Sequence, residues 1–204
     1  MLNLVLVEPE IPANTGNIGR TCVVTGTRLH LIRPLGFSLD DRALHRAGLG
    51  YWPNLDVRVY DDWGAFLTQN GLAACGPEPR LHLLTKKARQ RYTDAAYRDG
   101  DYLVLGKESA GLAEELLAAY PASCERIPML PDAASLENAA TWQRPADEDL
   151  AHEALRRTDI CGNFIDPADY RISALNLSNA AAIVLYEALR QTGFADIEAA
   201  GPTA

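Results

Sequence analysis

The sequence predicts an α/β fold, a mostly parallel sheet with helices on both faces. Short apolar runs alternate along the chain with helix-like segments, the order that builds strand–crossover–strand units. The first run, residues 2–7 (LNLVLV), reads as a buried strand that stops at Glu8-Pro9. The last clear element places Ala181, Val184, Leu185, Ala188 and Leu189 on a single helical face. With 204 residues, 48% of them hydrophobic and 23% charged, the chain suits one domain or a small pair, long enough to bury a core without disulfides or metals.

Each element follows in order. After the first strand, Ile11-Pro12-Ala13-Asn14-Thr15-Gly16-Asn17 is loop chemistry leading into a helix that Gly26 closes. Asn14 or Thr15 is expected to cap this helix and Gly16 to make a tight turn. Leu29-His30-Leu31-Ile32 reads as a strand, and residues 40–48 as a helix opened by Asp40-Asp41 and closed by Gly48. Val57-Arg58-Val59-Tyr60 is a strand followed by a helix near 62–70. Residues 81–84 and 102–105 are strands separated by a polar stretch. A helix over 112–120 stops at Pro121, residues 126–129 end a further strand, and the last helix runs from Ser178 to Gln191 before Gly193. Ligands of such folds bind beyond the carboxyl ends of the strands, here the residues after 7, 84, 105 and 127.

The net charge of −8 is unevenly spread. Residues 1–100 hold 12 Lys/Arg against 10 Asp/Glu, and residues 101–204 hold 7 against 17. An RNA partner is therefore compatible with the composition but weakly supported by it. The stretch 137–175 interrupts the strand–helix rhythm and carries 8 acidic residues against 4 Arg, as an insertion into a loop would. No apolar run is long enough to span a membrane, and Met1-Leu2-Asn3-Leu4 enters a strand directly, so neither a membrane anchor nor a signal peptide is expected and a cytoplasmic location is. Cys22, Cys75, Cys124 and Cys161 form no CxxC pair, and His30, His45, His82 and His152 are equally scattered. Buried free thiols and no metal site are expected.

Common catalytic signatures are absent. Gly48-Leu49-Gly50 opens a dinucleotide fingerprint, but Pro53 stands where the third glycine belongs. Around Ser109, Lys107 replaces the first glycine of a nucleophile elbow. What remains is three loops at strand ends: E-P-E-I-P-A-N-T-G-N-I-G-R (8–20), L-G-K-E-S-A-G-L (105–112), and I-P-M-L-P-D (127–132) with N-L-S-N-A-A-A-I-V-L-Y-E-A (176–188). Taken together and in this order, they resemble the SPOUT-class RNA methyltransferases, in particular the small tRNA (cytidine/uridine-2′-O-)-methyltransferases that act at the wobble nucleotide. The likeness spans the chain except for the acidic insertion.

The resemblance implies a single SPOUT domain over 1–204 with a deep C-terminal trefoil knot, a rare exception to unknotted topology. It also implies a homodimer, S-adenosylmethionine as cofactor, and tRNA, with leucine isoacceptors favoured, as substrate. By the same resemblance, Arg20, Asn14, Ser178 and Tyr186 belong to the catalytic set. Leu84, Gly106, Glu108, Gly111, Ile127, Met129, Ser135 and Asn176 belong to the cofactor site. The insertion splits the third loop, so either Ser135 or the Ser173-Ala174-Leu175 end supplies the cofactor-loop serine, with Ser135 preferred. Ala110 stands where the wobble enzymes more often carry a basic residue.

Arg20 cannot serve as a free base, because a guanidinium stays protonated; contact with the ribose or its phosphate, and support of the developing alkoxide, is its physical role. Lys86, Lys87, Arg89 and Arg91 are the tRNA-backbone candidates, against a merely solvated loop. Plainer readings compete elsewhere: core for Leu84, Ile127 and Tyr186, a helix-start charge for Glu108, and a helix cap for Asn176 or Ser178. Two other functions share these loops, an RNA-binding scaffold of the same fold that has lost catalysis, and a 2′-O-methyltransferase for another RNA site.

Overall fold

The computed structural model describes residues 1–39, 50–72, 81–129 and 174–194. Within them six strands form one sheet: β1 (Asn3–Val7), β2 (Arg28–Ile32), β3 (Val57–Tyr60), β4 (Leu81–Leu84), β5 (Tyr102–Leu105) and β6 (Cys124–Glu125). Their spatial order is β3-β2-β1-β5-β4-β6, and every pairing is parallel. Four helices accompany them: α1 (Pro12–Thr25), α2 (Trp63–Gln69), α3 (Glu114–Ala119) and α4 (Leu177–Thr192).

Alternation along the strands explains the two layers. Leu4 and Leu6 of β1, Leu29 and Leu31 of β2, and Leu103 and Leu105 of β5 face one side, where Ile18 and Cys22 of α1 and Val184, Leu185 and Ala188 of α4 cover them. Val5, Ile32, Tyr102 and Val104 face the other, packed with Phe66 of α2 and Leu117 of α3. Both sides of the central strands are thus dry, which is why their sequences read as near-continuous apolar runs, with Asn3 and His30 as buried polar exceptions. Burying each such leucine contributes about 2 kcal/mol relative to leaving it in water. Helix α4 buries the five residues its periodicity singled out, and Gly193 ends it in the left-handed region.

Three expectations need correction. Helix α1 starts at Pro12, earlier than expected; Ile11 stands at its N-cap with no side-chain bond, so neither Asn14 nor Thr15 caps it. Proline suits the first helical position, where its missing N–H is no loss. Gly16 makes no turn but lies inside the helix, where its carbonyl accepts the Tyr51 hydroxyl. The sixth strand is Cys124–Glu125 rather than 126–129, with Arg126 adding one isolated bridge to Arg91. Pro128, which has no N–H to give, follows as the chain leaves the sheet.

Cys22 and Cys124 are buried thiols, and burial raises each to about 12. Among the described residues no cluster of His, Cys, Asp and Glu could hold a metal ion, and no helix is long and apolar enough to cross a membrane. The helix expected at 40–48, Cys75, Cys161, His45, His152, Ser135, most of the expected insertion, and the chain path from Met129 to Ala174 that a knot requires lie outside the described residues.

Candidate active site

Strand ends β1, β5, β4 and β6 open side by side onto a cleft of about 370 Å³. Of the residues anticipated for this site, Asn14, Leu84, Lys86, Lys87, Gly106, Glu108, Gly111, Ile127, Met129 and Asn176 line it. Leu84 and Ile127 also lie partly buried against the core, so the cleft and core readings of these two are both true. Arg20, Ser178, Tyr186, Arg89 and Arg91 are outside the cleft wall.

The β1–β5 register builds the first half of the site. Leu6 lies opposite Leu105, so the same register carried forward sets Glu8 beside Lys107 and Glu10 beside Ser109. The side chains do meet: Lys107 Nζ donates to Glu8 Oε2 at 3.1 Å, and Ser109 donates from its amide and hydroxyl to the two Glu10 oxygens at 2.9 and 2.8 Å. The loop between them is folded tightly back on itself. Gly111 has φ +72, and a Cβ on Gly106 would lie 2.1 Å from the Gly111 carbonyl carbon and 2.3 Å from the Leu112 nitrogen. Gly106 accepts no side chain without the loop moving, and at Gly111, where space is open, the left-handed backbone strains any side chain.

Glu108 joins this loop to α1. Its carboxylate accepts from the Glu10 amide (2.8 Å), the Ile11 amide (3.2 Å) and Asn14 Nδ2 (2.9 Å). Burial would raise its pKa, but the hydrogen bonds from Asn14 and the two amides outweigh it and hold the carboxyl below its ordinary value. Asn14 is itself buried, and its Oδ1 accepts from Asn176 Nδ2 at 2.9 Å. Asn176 Oδ1 in turn accepts from the Ser178 amide (2.9 Å) and hydroxyl (2.7 Å), which makes Asn176, not Ser178, the cap of α4. A continuous polar chain Glu108–Asn14–Asn176–Ser178 therefore links three loops that are far apart in sequence. The reading of Glu108 as a charge at the start of the following helix gives way to this bridging role.

The basic residues divide. Lys86 and Lys87 both reach the cleft, Lys87 paired with Glu114, while Arg91 pairs with Asp94 and Arg89 is exposed beyond the cleft. Arg20 is exposed on α1, its guanidinium carbon 5.2 Å from the Tyr51 ring centroid. Tyr186 is 49% exposed, so it is no core aromatic; its ring lies 6.4 Å from that of Phe194. Residues that sequence reasoning left aside include Glu8, Glu10 and Lys107, whose opposite charges at matched offsets after two strands were the available signal. Thr85, Ala174, Leu175 and Leu177 also line the cleft; they lie after strand end 84, in the Ser173-Ala174-Leu175 end and in the third motif, but were not singled out as site residues.

Comparison with known proteins agrees with this geometry. Residues 1–141 match the model of the SpoU rRNA methylase family. A protein of Escherichia coli strain K12 named tRNA (cytidine(34)-2′-O)-methyltransferase is 40% identical over 195 residues, 95% of this chain and 96% of its own. A solved structure described as giving insight into 2-OH methylation of C/U34 on tRNA is similar with TM-score 0.65 and 36% identity, covering 94% of this chain and 95% of that one. An AdoMet-bound rRNA methyltransferase from Sinorhizobium meliloti shares the fold at TM-score 0.63 and 20% identity, covering 93% of this chain and 56% of its own. With a family model matched over more than half its length and a relative of this identity aligned nearly end to end, the chain belongs to the SpoU methylase family.

Proposed function

We propose that this protein is an S-adenosylmethionine-dependent methyltransferase that methylates the ribose 2′-hydroxyl of the wobble nucleotide, cytidine or modified uridine, in leucine tRNAs. The observation that carries the reading is the polar chain from Glu108 through Asn14 and Asn176 to Ser178, which holds the three family loops around one cleft. The cleft suits the cofactor: its size falls in the usual ligand range, Leu84, Ile127 and Met129 offer apolar walls, and the floor at Gly106 is bare backbone. When bound, the cofactor supplies an electrophilic methyl group on a sulfonium.

The rest of the chemistry is positioning and charge. In-line transfer to a hydroxyl needs the oxygen oriented and its proton lost, without a covalent enzyme intermediate. Asn14 and Asn176, each fixed by its neighbours, leave little freedom at the mouth of the cleft. Arg20 stands on the same helix but outside the cofactor walls, a place suited to the RNA rather than the cofactor. There a permanent cation lowers the energy of the developing alkoxide. Lys86 at the cleft and exposed Arg89 supply phosphate contacts.

A second copy of the chain completes the assembly in this proposal. Val24, Ile183 and Tyr186 are exposed apolar residues on α1 and α4, two helices that pack side by side. A mass of one chain by light scattering would exclude the dimer. The knot, the cytoplasmic location and the acidic insertion at 137–175 belong to the same reading.

The direct test is transfer of a labelled methyl group to unmodified tRNA, followed by mass mapping of the modified nucleotide. Arg20→Ala is expected to lower turnover about 100-fold, the usual cost of one lost charge stabiliser. Cofactor affinity and thermal stability should stay unchanged, because Arg20 is exposed and off the cleft wall. Full activity in that variant would remove Arg20 from the mechanism.

A further inference from the structure

We propose that His82 is a positioning residue for the cofactor cleft, clamping the short edge strand β6 and the turn after β4 in the places from which they line it. The inference rests on the cofactor reading of the cleft and concerns residues that the reaction itself does not touch.

Strand β6 is held weakly by its backbone. It pairs with β4 through only two residue pairs, Leu83 with Cys124 and Leu84 with Glu125. Yet one wall of the cleft depends on it, since Ile127 and Met129 follow directly. The opposite segment leans on the same strand: the Thr85 amide donates to the Glu125 carbonyl at 2.9 Å, and Arg126 exchanges backbone bonds with Gln90 and Tyr92. An edge strand this short needs side-chain support to keep one register.

That support is a buried ionic cluster. His82, two residues before Leu84, presents Nδ1 to Glu125 Oε1 at 2.7 Å and Nε2 to Asp101 Oδ2 at 3.2 Å. The second Glu125 oxygen accepts the Tyr97 hydroxyl at 2.7 Å, and Asp101 Oδ2 also accepts the Arg98 amide at 2.7 Å. His82, Asp101, Glu125 and Tyr97 are all less than 10% exposed. Tyr97 passes the restraint to α4, its amide donating to Gln191 Oε1 at 3.0 Å while Gln191 Nε2 donates to the Ala95 carbonyl at 3.1 Å. Carboxylates only accept, so the ring must donate from both nitrogens and is therefore an imidazolium.

The charged and titratable groups facing the cluster are Glu125 from β6, Asp101 from the entry to β5, Tyr92, Tyr97 and Arg98 from the intervening turn, and Glu187 from α4. Burial lowers the histidine pKa, but the hydrogen bonds and charges of Asp101 and Glu125 prevail and raise it to about 9. A raised value means that the clamp is complete below the ordinary pKa of 6.5 and is lost as pH rises through about 9. Without the proton, one ring nitrogen faces a carboxylate with nothing to donate, so the ring ties β6 or the entry to β5 but no longer both, and the Tyr97 hydroxyl still holds Glu125 in either case.

The experiment compares the full-length wild type, His82→Gln and Tyr97→Phe for S-adenosylmethionine binding by calorimetry between pH 7 and 10. It adds ¹⁵N NMR titration of the imidazole and hydrogen exchange at the Thr85 and Arg126 amides. The expected results are a Kd at least tenfold weaker in His82→Gln and several-fold weaker in Tyr97→Phe. Turnover at saturating cofactor should stay within twofold of wild type, and exchange at Thr85 should be faster. Wild-type affinity should fall through pH 9 and that of His82→Gln should not. A folded His82→Gln with wild-type Kd overturns the proposal, as does a fall near pH 9 retained in that variant, which would assign the titration to Lys87, whose pKa burial lowers. Should His82→Gln fail to fold, an unchanged Kd in Tyr97→Phe or an imidazole that titrates below pH 7 overturns it. Absence of binding by the wild type removes the cofactor reading and this proposal together, whereas wild-type binding untouched by the variants removes this proposal alone.

Discussion

Replacing Gly106 by alanine adds one methyl group at the floor of the cleft, where the chain leaves β5 and folds back at Gly111. The new Cβ would lie 2.1 Å from the Gly111 carbonyl carbon and 2.3 Å from the Leu112 nitrogen, both backbone atoms that no rotamer change can remove. Ordinary carbon contacts begin near 3.5 Å, so the loop must retreat by about 1.4 Å. Such overpacking costs about 1–3 kcal/mol, and the retreat drags Glu108, with its bonds to Glu10, Ile11 and Asn14. Where binding must overcome about 1–3 kcal/mol of such strain, affinity falls by roughly 5- to 150-fold. Calorimetry of Gly106→Ala should therefore show S-adenosylmethionine affinity down by that factor. Scanning calorimetry should show the melting temperature down by about 2–12 °C, from roughly 2–4 °C per kcal/mol in a chain of this size. A folded variant that binds within threefold of wild type would refute the reasoning, because it would mean that the 106–112 loop does not form the binding surface.

Glu108→Ala leaves two amides and the Asn14 side chain without their acceptor, and water replaces it only in part at this half-buried position. The expected loss is about 1–2 kcal/mol in urea unfolding at neutral pH. Because the folded-state carboxyl is held below its ordinary 4.5, the wild type keeps this contribution above pH 4.5 and loses it as pH falls further. Equal stabilities of variant and wild type at pH 7 would contradict the bridging role. His30 is wholly buried between the Tyr60 hydroxyl (2.8 Å) and Asn3 Oδ1 (3.1 Å), and burial, aided by Arg28 and Arg58, lowers its pKa to about 4. A lowered histidine value makes stability full above 6.5 and lost as pH falls from 6.5 towards 4, on the order of 3 kcal/mol over that span. NMR should find the ring neutral at pH 5.5; a midpoint near 6.5 would overturn the assignment.

The inner strands were readable because a parallel sheet covered on both faces demands near-continuous apolar runs, as in LNLVLV, LHLI, LHLL and YLVL. VRVY, at the sheet edge with Arg58 and Val59 exposed, showed itself instead by its β-branched residues. The face of α4 was readable for the complementary reason, that one-sided burial imposes a 3.6-residue period. Boundaries failed where a residue had two uses. Asn14 has the chemistry of a cap, yet its side chain is spent on Glu108 and Asn176, and Pro12 starts the helix instead. Residues 126–129 are apolar enough for a strand, but pairing with β4 ends at Glu125 and the apolar residues go to the cleft wall.

The sequence by itself determined which residues could be strands, which helix face could be buried, and which three loops carry the family's motifs. These are properties of neighbours along the chain, set by side-chain period and turn chemistry. Tertiary structure decided how the pieces meet. Parallel pairing of β1 with β5 joins segments about a hundred residues apart, and its register is what sets Glu8 against Lys107 and Glu10 against Ser109. The bond from Asn176 to Asn14 spans 162 positions. The His82 cluster draws on three strand ends and a turn, none of which looks unusual alone. Hydrogen bonds and ion pairs depend on atoms brought within about 3 Å, and no local pattern states which distant atoms those will be.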